Sequence, residues 1–210
     1  MILKILYNNR AKEGFKEGWG FSCLIESIKE NKKILFDTGA DFETLSFNAQ
    51  KLGVNFKNID KVVISHDHDD HTGGLAGVLK ENNKVKVIWP KNENSFRIIS
   101  GIFSTGSLKA AIDLKEQSLF LATKKGLVII VGCSHPGVDK ILQRVKEVRS
   151  LKNNKKIYAI IGGFHGFNKL DELEGIEVIG ACHCTSHKQE IKKKFPDQFK
   201  KIRAGDIIKL

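Results

Sequence analysis

The segment around which this chain is organised reads Ser65-His66-Asp67-His68-Asp69-Asp70-His71-Thr72-Gly73-Gly74. Positions 66 to 71 hold three histidines and three aspartates, although the whole 210-residue chain has only seven histidines. Side chains two residues apart in an extended segment point the same way, so we expect His66 and His68 to face one metal ion. Asp70 and His71 come after the preceding strand has ended, and we expect them to face a second point nearby. Imidazole nitrogens and carboxylate oxygens are ligands that zinc, iron and manganese accept, so the segment predicts a metal site.

The composition is that of a globular protein with a sizeable core. Hydrophobic residues make up 41% of the chain and charged residues 28%, as in ordinary globular domains. No apolar run approaches the ~20 residues that a membrane span needs, and the first residues lack the pattern of a signal peptide. We therefore expect one domain over residues 1–210, no membrane partner and a cytoplasmic location.

The net charge of +11 comes from lysine, because arginine occurs at only five positions. Recognition of nucleic acids usually relies on arginine forks or interleaved aromatic side chains, and this sequence has neither pattern. We therefore interpret the charge as a solvated lysine-rich surface and expect no nucleic-acid partner. Lysines near the site suit a small anionic substrate. Assembly into a homo-oligomer stays open.

Hydrophobic periodicity predicts strands and helices that alternate along the chain. The predicted strands cover residues 1–7, 21–28, 33–36, 61–65, 84–89, 96–103, 118–123, 127–131, 156–161, 177–181 and 207–208. The predicted helices cover residues 42–52, 75–81, 138–148 and 189–195, with Gly53 ending the first and Thr72 as the N-cap of the second. Strands followed by a helix, twice over, suit two sheets packed face to face with helices outside, which is a mixed α/β (α+β) fold class.

Three later histidines also follow predicted strands. His135 lies in Gly-Cys-Ser-His-Pro-Gly, His165 follows a double glycine, and His183 lies in Cys-His-Cys-Thr. Loops at strand ends are where functional sites collect, so His135 and His183 are candidate metal ligands and His165 is a candidate substrate-binding residue. A purely structural role is the alternative, and it stays open for His165. His187 precedes a basic helix and is interpreted as a surface residue.

The spacing His-x-His-x-Asp-His at residues 66–71 resembles the signature of the metallo-β-lactamase-fold superfamily. The segments Gly-Cys-Ser-His-Pro-Gly, Ile-Gly-Gly-Phe-His and Cys-His-Cys-Thr resemble the branch of it named for a dihydropterin–ribofuranosylaminobenzene-phosphate synthase of methanopterin biosynthesis. The resemblance spans nearly the whole chain and implies a four-layer αββα sandwich.

The resemblance also implies a set of site residues. His66, His68 and a later histidine would hold one metal ion, and Asp70, His71 and His183 would hold a second. Asp37, in Phe-Asp-Thr-Gly, matches an aspartate beneath the site that orients the ligands. Asp70 would bind metal and accept a proton from water, which makes Asp70 and Asp37 the candidate catalytic residues. The implied cofactor is zinc, as one or two ions, with iron, manganese or magnesium as alternatives.

The middle of the chain departs from the superfamily pattern. A hairpin ending in Gly-Asp is expected to bring an aspartate that bridges the two metals, but this hairpin ends in Gly132-Cys133. Either His135 supplies the third ligand of the first metal, or Cys133 takes the bridging position. We favour His135, because Pro136 holds the residue before it extended at the tip of the loop. Cys133 is kept as an alternative ligand.

Three functions are compatible with these residues. The leading interpretation is a metal-dependent hydrolase that uses a metal-activated water on an ester or phosphoester substrate. The second is a pterin transferase of the methanopterin-pathway type, which joins a dihydropterin diphosphate to ribofuranosylaminobenzene phosphate. The third is a non-catalytic metal or redox protein, suggested by Cys133, Cys182 and Cys184 beside histidines.

Overall fold

The computed structural model of the protein describes residues 1–148 and 156–210. The chain forms two compact units, the first made of Met1–Trp89 with Ile202–Leu210 and the second of Pro90–Lys201. Each unit contains one six-stranded sheet, which confirms the mixed α/β class with two multi-stranded sheets. The assignment of residues 1–210 to one domain stays a prediction. No helix in the described part of the chain is both long enough and apolar enough to cross a membrane.

The sheet of the first unit changes from antiparallel to parallel pairing at the strand that precedes Asp37. Its strands are β1 (Ile2–Tyr7), β2 (Ser22–Ser27), β3 (Lys32–Phe36), β4 (Lys61–Val63), β5 (Lys86–Ile88) and β14 (Ile207–Lys209), in the order β14-β1-β2-β3-β4-β5. Strands β3, β4 and β5 are parallel. The loops that follow β3 and β4 therefore leave the sheet at the same edge, which brings Asp37 beside the histidine segment.

Three helices belong to the first unit: α1 (Phe42–Lys51), α2 (Asp69–Thr72) and α3 (Leu75–Glu81). Helix α1 begins at Asp41, whose carboxylate accepts the Thr44 N–H, and this satisfies a donor left open by the first turn. Its Leu45 and Ala49 pack in a core cluster with strand residues such as Leu35. The predicted N-cap role of Thr72 is wrong. Its hydroxyl bonds the His68 carbonyl within α2, and Gly74 precedes α3 instead.

The second unit has a similar plan. Its main sheet contains β6 (Phe96–Ile99), β7 (Ile102–Ser104), β10 (Leu119–Ala122), β11 (Leu127–Val131), β12 (Ile157–Gly163) and β13 (Val178–Cys182), in the order β13-β12-β11-β10-β7-β6. Strands β8 (Leu108–Lys109) and β9 (Lys115–Glu116) form a separate pair. The strand predicted over residues 96–103 is two strands, because a tight turn at Ser100-Gly101 reverses the chain and pairs Ile99 with Ile102.

Parallel pairing also decides where the loops of the second unit emerge. Strands β11, β12 and β13 run parallel, so the loops after all three leave the same edge of the sheet. Helices α4 (Val138–Glu147) and α5 (Lys188–Lys194) follow two of these loops. The apolar stripe of α4, with Ile141 and Val145, packs in a core cluster with strand residues Ile129 and Ile160.

Candidate metal centre

The first unit brings the ligand atoms of the histidine segment together. The His66 Nε2 and His68 Nδ1 atoms lie 3.0 Å apart. The His71 Nε2 atom lies 3.7 Å from the Asp70 carboxylate, and the rings of His66 and His71 are 4.3 Å apart. His66 and His71 are buried, whereas Asp67 and Asp69 are exposed. The segment thus turns its three histidines and Asp70 towards one region.

Asp37 controls which nitrogen of each buried histidine is available. Its carboxylate is fully buried and lies 2.7 Å from His71 Nδ1, so an Nδ1–H that donates to it leaves a lone pair on His71 Nε2. The same carboxylate accepts the Ser65 N–H at 2.6 Å and the Ser65 hydroxyl at 2.7 Å. The Ser65 oxygen lies 2.9 Å from His66 Nδ1 and can accept its proton, which leaves His66 Nε2 as the ligand atom. One carboxylate therefore orients two rings, as carboxylates behind metal ligands commonly do.

The backbone of this segment approaches the loop after β3 so closely that glycine is required at position 73. A Cβ added to Gly73 would lie 1.9 Å from the Ala40 carbonyl oxygen. The Thr38 N–H and hydroxyl both donate to the His71 carbonyl, at 2.8 and 3.0 Å. The loop after β3 is therefore packed directly on the short helix that carries Asp70 and His71, which fixes these two candidate ligands relative to Asp37.

The second unit collects its candidate residues from three loops. The ligand atoms of Cys133 and His183 lie within 4.8 Å of each other, and the rings of His135 and His165 are 4.7 Å apart. These loops are tied together by hydrogen bonds from the Ser134 hydroxyl to the Gly163 carbonyl and from the Phe164 N–H to the Thr185 hydroxyl. The four residues that the sequence analysis placed at strand ends therefore form two close pairs.

Glu116 is a functional candidate that the sequence analysis missed. Its carboxylate is buried and accepts three consecutive backbone N–H groups, from Cys133 at 3.0 Å and from Ser134 and His135 at 2.8 Å each. A carboxylate that collects several backbone N–H groups fixes a loop strongly, because charge-assisted hydrogen bonds are the stronger kind. No spacing relates Glu116 to the histidine motifs, so the sequence carries no signal that singles it out.

Backbone strain is concentrated at the same strand ends. Five non-glycine residues in the described part of the chain have a positive φ angle, and four of them belong to these loops: Asp37 (56°), Ser134 (61°), His165 (43°) and His183 (48°). Non-glycine residues in this region carry a conformational cost and tend to cluster at active sites. Two of the four are part of the carboxylate networks: Asp37 itself, and Ser134, whose N–H donates to Glu116.

The left-handed turn at His183 decides where the side chain of Cys184 lies. Alternation along a strand predicts that Cys182 and Cys184 both point away from the side that His183 faces. Because β13 ends at Cys182 and the chain turns at His183, Cys184 instead comes to lie with its Sγ 3.3 Å from Cys133 Sγ. Cys182 remains in the interior, where burial raises the pKa of its thiol to about 12. No disulfide joins any of the four cysteines, all of which lie in the described part of the chain.

A cavity of about 360 Å³ lies beside His135 and His165 in the second unit. It is lined by His135, His165, the start of α4 and residues 166–169, which include Lys169. Lys140 also lines the cavity. Lys169 is paired with Asp139 at 2.7 Å. Burial raises the pKa of that carboxyl, but the hydrogen bond and charge of Lys169 outweigh burial and hold the pKa below its usual value.

The donor set of each unit fits a borderline metal such as zinc. The first unit presents imidazole nitrogens whose other ring nitrogen is engaged by Asp37 or Ser65, which is the arrangement that metal-binding histidines adopt. The second unit presents an imidazole and a thiol within 4.8 Å, and zinc accepts both.

His187 lies apart from these candidate ligands. Its side chain is 39% exposed and 3.4 Å from Glu190, in agreement with its interpretation as a surface residue.

Comparison with known proteins identifies a family model and a relative that match this chain. The model of the metallo-β-lactamase superfamily matches residues 20–139. The chain is 30% identical to the 7,8-dihydropterin-6-methyl-4-(β-D-ribofuranosyl)-aminobenzene-5′-phosphate synthase of Methanocaldococcus jannaschii, over 92% of this chain and 90% of that protein.

Solved structures agree on the fold. The crystal structure of Tm1679, a metal-dependent hydrolase of the β-lactamase superfamily, is 27% identical and covers 100% of this chain and 99% of its own, with a TM-score of 0.78. The metallo-β-lactamase fold protein YhfI from Bacillus subtilis covers 99% of this chain and 98% of its own at 11% identity, with a TM-score of 0.69, and supports the fold alone. The matched family model and the 30% identical relative from Methanocaldococcus jannaschii establish that the chain belongs to the metallo-β-lactamase superfamily.

Proposed function

We propose that this protein is a metal-dependent hydrolase that acts on an ester or phosphoester bond of a small anionic molecule. The observation that carries the proposal is the Asp37 network. It turns the Nε2 lone pairs of two buried histidines outward from a fully buried carboxylate, at the edge where Asp70 also lies. The buried carboxylate engages two donors of Ser65 and the His71 ring, and carboxylates that orient metal-binding histidines commonly make such contacts.

The proposed ligand set follows the superfamily pattern. We assign His66, His68 and His135 to one zinc ion and Asp70, His71 and His183 to a second, with Cys133 as the alternative ligand in the bridging position. The support is the match of residues 66–71 to the superfamily spacing, together with the imidazole and thiol donors that the second unit presents. Zinc is proposed over iron, manganese and magnesium because the donors are mainly imidazole nitrogens.

The chain's own residues supply positioning and proton transfer. A divalent metal held by these residues would supply a Lewis acid and would lower the pKa of a bound water to about 7. Asp70 is partly exposed, and we assign its carboxylate as the acceptor of the proton that an attacking water loses. Asp37 keeps His66 and His71 in one tautomer throughout, so the ligand geometry is set before the substrate arrives.

The cavity of the second unit is proposed to hold the anionic part of the substrate. His165 lies at its rim beside His135, and Lys140 and Lys169 contribute positive charge to its wall. Asp139 offsets part of the charge of Lys169, which leaves Lys140 as the stronger contributor to binding an anion. A carboxylate or phosphate on the substrate would be oriented here by charge and hydrogen bonding.

Metal content and turnover test this proposal together. Protein purified without added metal is measured by elemental analysis and then assayed on a panel of phosphodiesters, lactones and thioesters. We expect one or two zinc ions per chain and hydrolysis of one substrate class. Asp70→Asn should lower both turnover and metal content, whereas Asp67→Asn should change neither, because Asp67 is exposed in the same segment. Protein that binds no divalent metal would overturn the proposal.

A pterin transferase is the second candidate, and the relative from Methanocaldococcus jannaschii is the observation that favours it. The same residues would orient a diphosphate leaving group instead of a water molecule. Incubation with a dihydropterin diphosphate and ribofuranosylaminobenzene phosphate, followed by product analysis, separates the two functions. A joined pterin product identifies the transferase, and release of diphosphate with free hydroxymethylpterin identifies hydrolysis.

A further inference from the structure

Cys133 and Cys184 form a close thiol pair in the second unit. Their Sγ atoms lie 3.3 Å apart, although the two residues are separated by 51 positions in the chain. Cys133 is 3% exposed, whereas Cys184 is partly exposed. A disulfide requires about 2.05 Å between sulfurs, so the two atoms need to approach by about 1.3 Å. Rotation about the side-chain bonds of Cys184, the more exposed partner, can supply much of that movement.

The contact depends on a missing side chain on the strand between them. Cys133 follows β11 and Cys184 follows β13, and β12 lies between these two strands. A Cβ added to Gly163, the last residue of β12, would lie 2.7 Å from Cys184 Sγ and 2.6 Å from the Gly132 carbonyl oxygen. The space above Gly163 is therefore what allows Cys184 to reach Cys133 across the intervening strand.

We propose that Cys133 and Cys184 are an oxidation site that forms a reversible disulfide when the protein meets a hydroperoxide. The Cys184 sulfur attacks the peroxide O–O bond, which gives a sulfenic acid and releases water or an alcohol. The Cys133 sulfur then attacks the Cys184 sulfur, its proton leaves with the hydroxide as water, and the S–S bond forms. Two thiols are oxidised and one peroxide is reduced. A dithiol reductant reverses the reaction.

The disulfide would alter the proposed metal centre. Cys133 Sγ lies within 4.8 Å of the ligand atom of His183, so bonding it to Cys184 removes one donor and pulls the loop after β13. This consequence rests on the proposed function, whereas formation of the disulfide does not. Oxidation is therefore expected to lower metal content, and reduction to restore it.

Peptide mapping of the oxidised protein tests the site directly. The intact protein is treated with one equivalent of hydrogen peroxide, alkylated, and digested with trypsin without reduction. Cleavage at the lysines gives one peptide of residues 126–140 that contains Cys133 and one of residues 170–188 that contains Cys182 and Cys184. We expect a crosslinked species of these two peptides, which disappears when the sample is reduced before alkylation.

Two matched variants identify the second cysteine of the pair. Cys182→Ser should still give the crosslinked peptides, because Cys182 is buried and Cys184 makes the thiol contact with Cys133, whereas Cys184→Ser should abolish them. A crosslink that survives Cys184→Ser, or wild-type thiols that stay unlinked while peroxide is consumed, overturns the proposal. Elemental analysis of the same oxidised and reduced samples tests the consequence. Metal content that does not change although the crosslink forms overturns the link to the metal centre alone.

Discussion

The two units place their candidate ligands by opposite means. In the first unit the candidate ligands are neighbours in sequence. The buried carboxylate of Asp37 contacts the His71 ring directly and the His66 ring through the Ser65 hydroxyl. In the second unit the candidates come from three separate loops, and a buried carboxylate, Glu116, bonds only backbone N–H groups. Asp37 thus sets the tautomers of His66 and His71, whereas Glu116 sets the backbone path of the loop that carries Cys133 and His135.

The two carboxylates are therefore expected to affect different properties: Asp37 the metal affinity of the histidines, and Glu116 the geometry of a loop. Loss of Asp37 should change how strongly the histidines bind metal, because the proton on each ring is no longer directed away from the ligand atom. Loss of Glu116 should act mainly on stability, because the rings themselves keep their hydrogen-bonding state. Substitutions at the two carboxylates, at one glycine and at one surface histidine test this contrast.

Asp37→Asn is expected to have the largest effect. Asparagine has nearly the same shape and tolerates the positive φ angle at this position, but its NH₂ group cannot accept from Ser65 or His71. Zinc affinity should fall about 10- to 100-fold, as measured by competition with a chelating dye. The exposed Asp69→Asn is the control and should bind zinc like the wild type. Unchanged zinc affinity in Asp37→Asn would show that Asp37 does not orient the ligands.

Glu116→Gln is expected to have the next largest effect, on the free energy of unfolding. Hydrogen bonds to a charged acceptor contribute about 1.5–3 kcal/mol. The glutamine amide has a single acceptor oxygen, so it cannot accept from all three backbone N–H groups. Urea unfolding of the metal-free protein should show a loss of about 1–3 kcal/mol, with a smaller change in zinc affinity than Asp37→Asn causes. The matched variant is Glu177→Gln, an exposed glutamate paired with Lys156, which should unfold like the wild type. A larger loss of zinc affinity in Glu116→Gln than in Asp37→Asn would reverse the proposed division of roles.

Gly163→Ala sharpens the contrast within the second unit. The added Cβ meets the Gly132 carbonyl oxygen and Cys184 Sγ at 2.6 and 2.7 Å, so the loop after β12 must shift. Overpacking of this kind costs about 1–3 kcal/mol, measurable as a lower urea midpoint. Gly166→Ala is the matched control three residues later, where a Cβ meets no atom within 4 Å. Equal stability of the two variants would mean that the close approach at Gly163 is relieved without cost.

His187→Ala is expected to have the smallest effect. The side chain is 39% exposed, and its contact with Glu190 is a surface pair, of the kind that contributes little to stability. The free energy of unfolding should stay within about 0.5 kcal/mol of the wild type, and zinc content should not change. Loss of zinc in this variant would place His187 among the ligands and would contradict its assignment to the surface.

The local features of this protein could be predicted from its residues. Hydrophobic periodicity placed most strands and helices within a few residues of their observed ends, because apolar residues recur with the period of the face that each element buries. The cluster of histidines and aspartates at residues 66–71 identified the first half of the candidate site, because its members are neighbours in the chain. The match to the superfamily followed from that spacing and was confirmed by the comparisons.

The contacts that hold these features in place are visible only in the folded chain. Asp37 meets Ser65 across 28 positions and Glu116 meets His135 across 19, and neither distance along the chain has a characteristic period. Glu116 bonds backbone N–H groups, which every residue except proline possesses, so its partners leave no trace in the residue types. The contact of Cys184 with Cys133 depends on a left-handed turn at His183 and on the empty space above Gly163. Both arise from the register of three parallel strands, which residue-by-residue propensity does not specify.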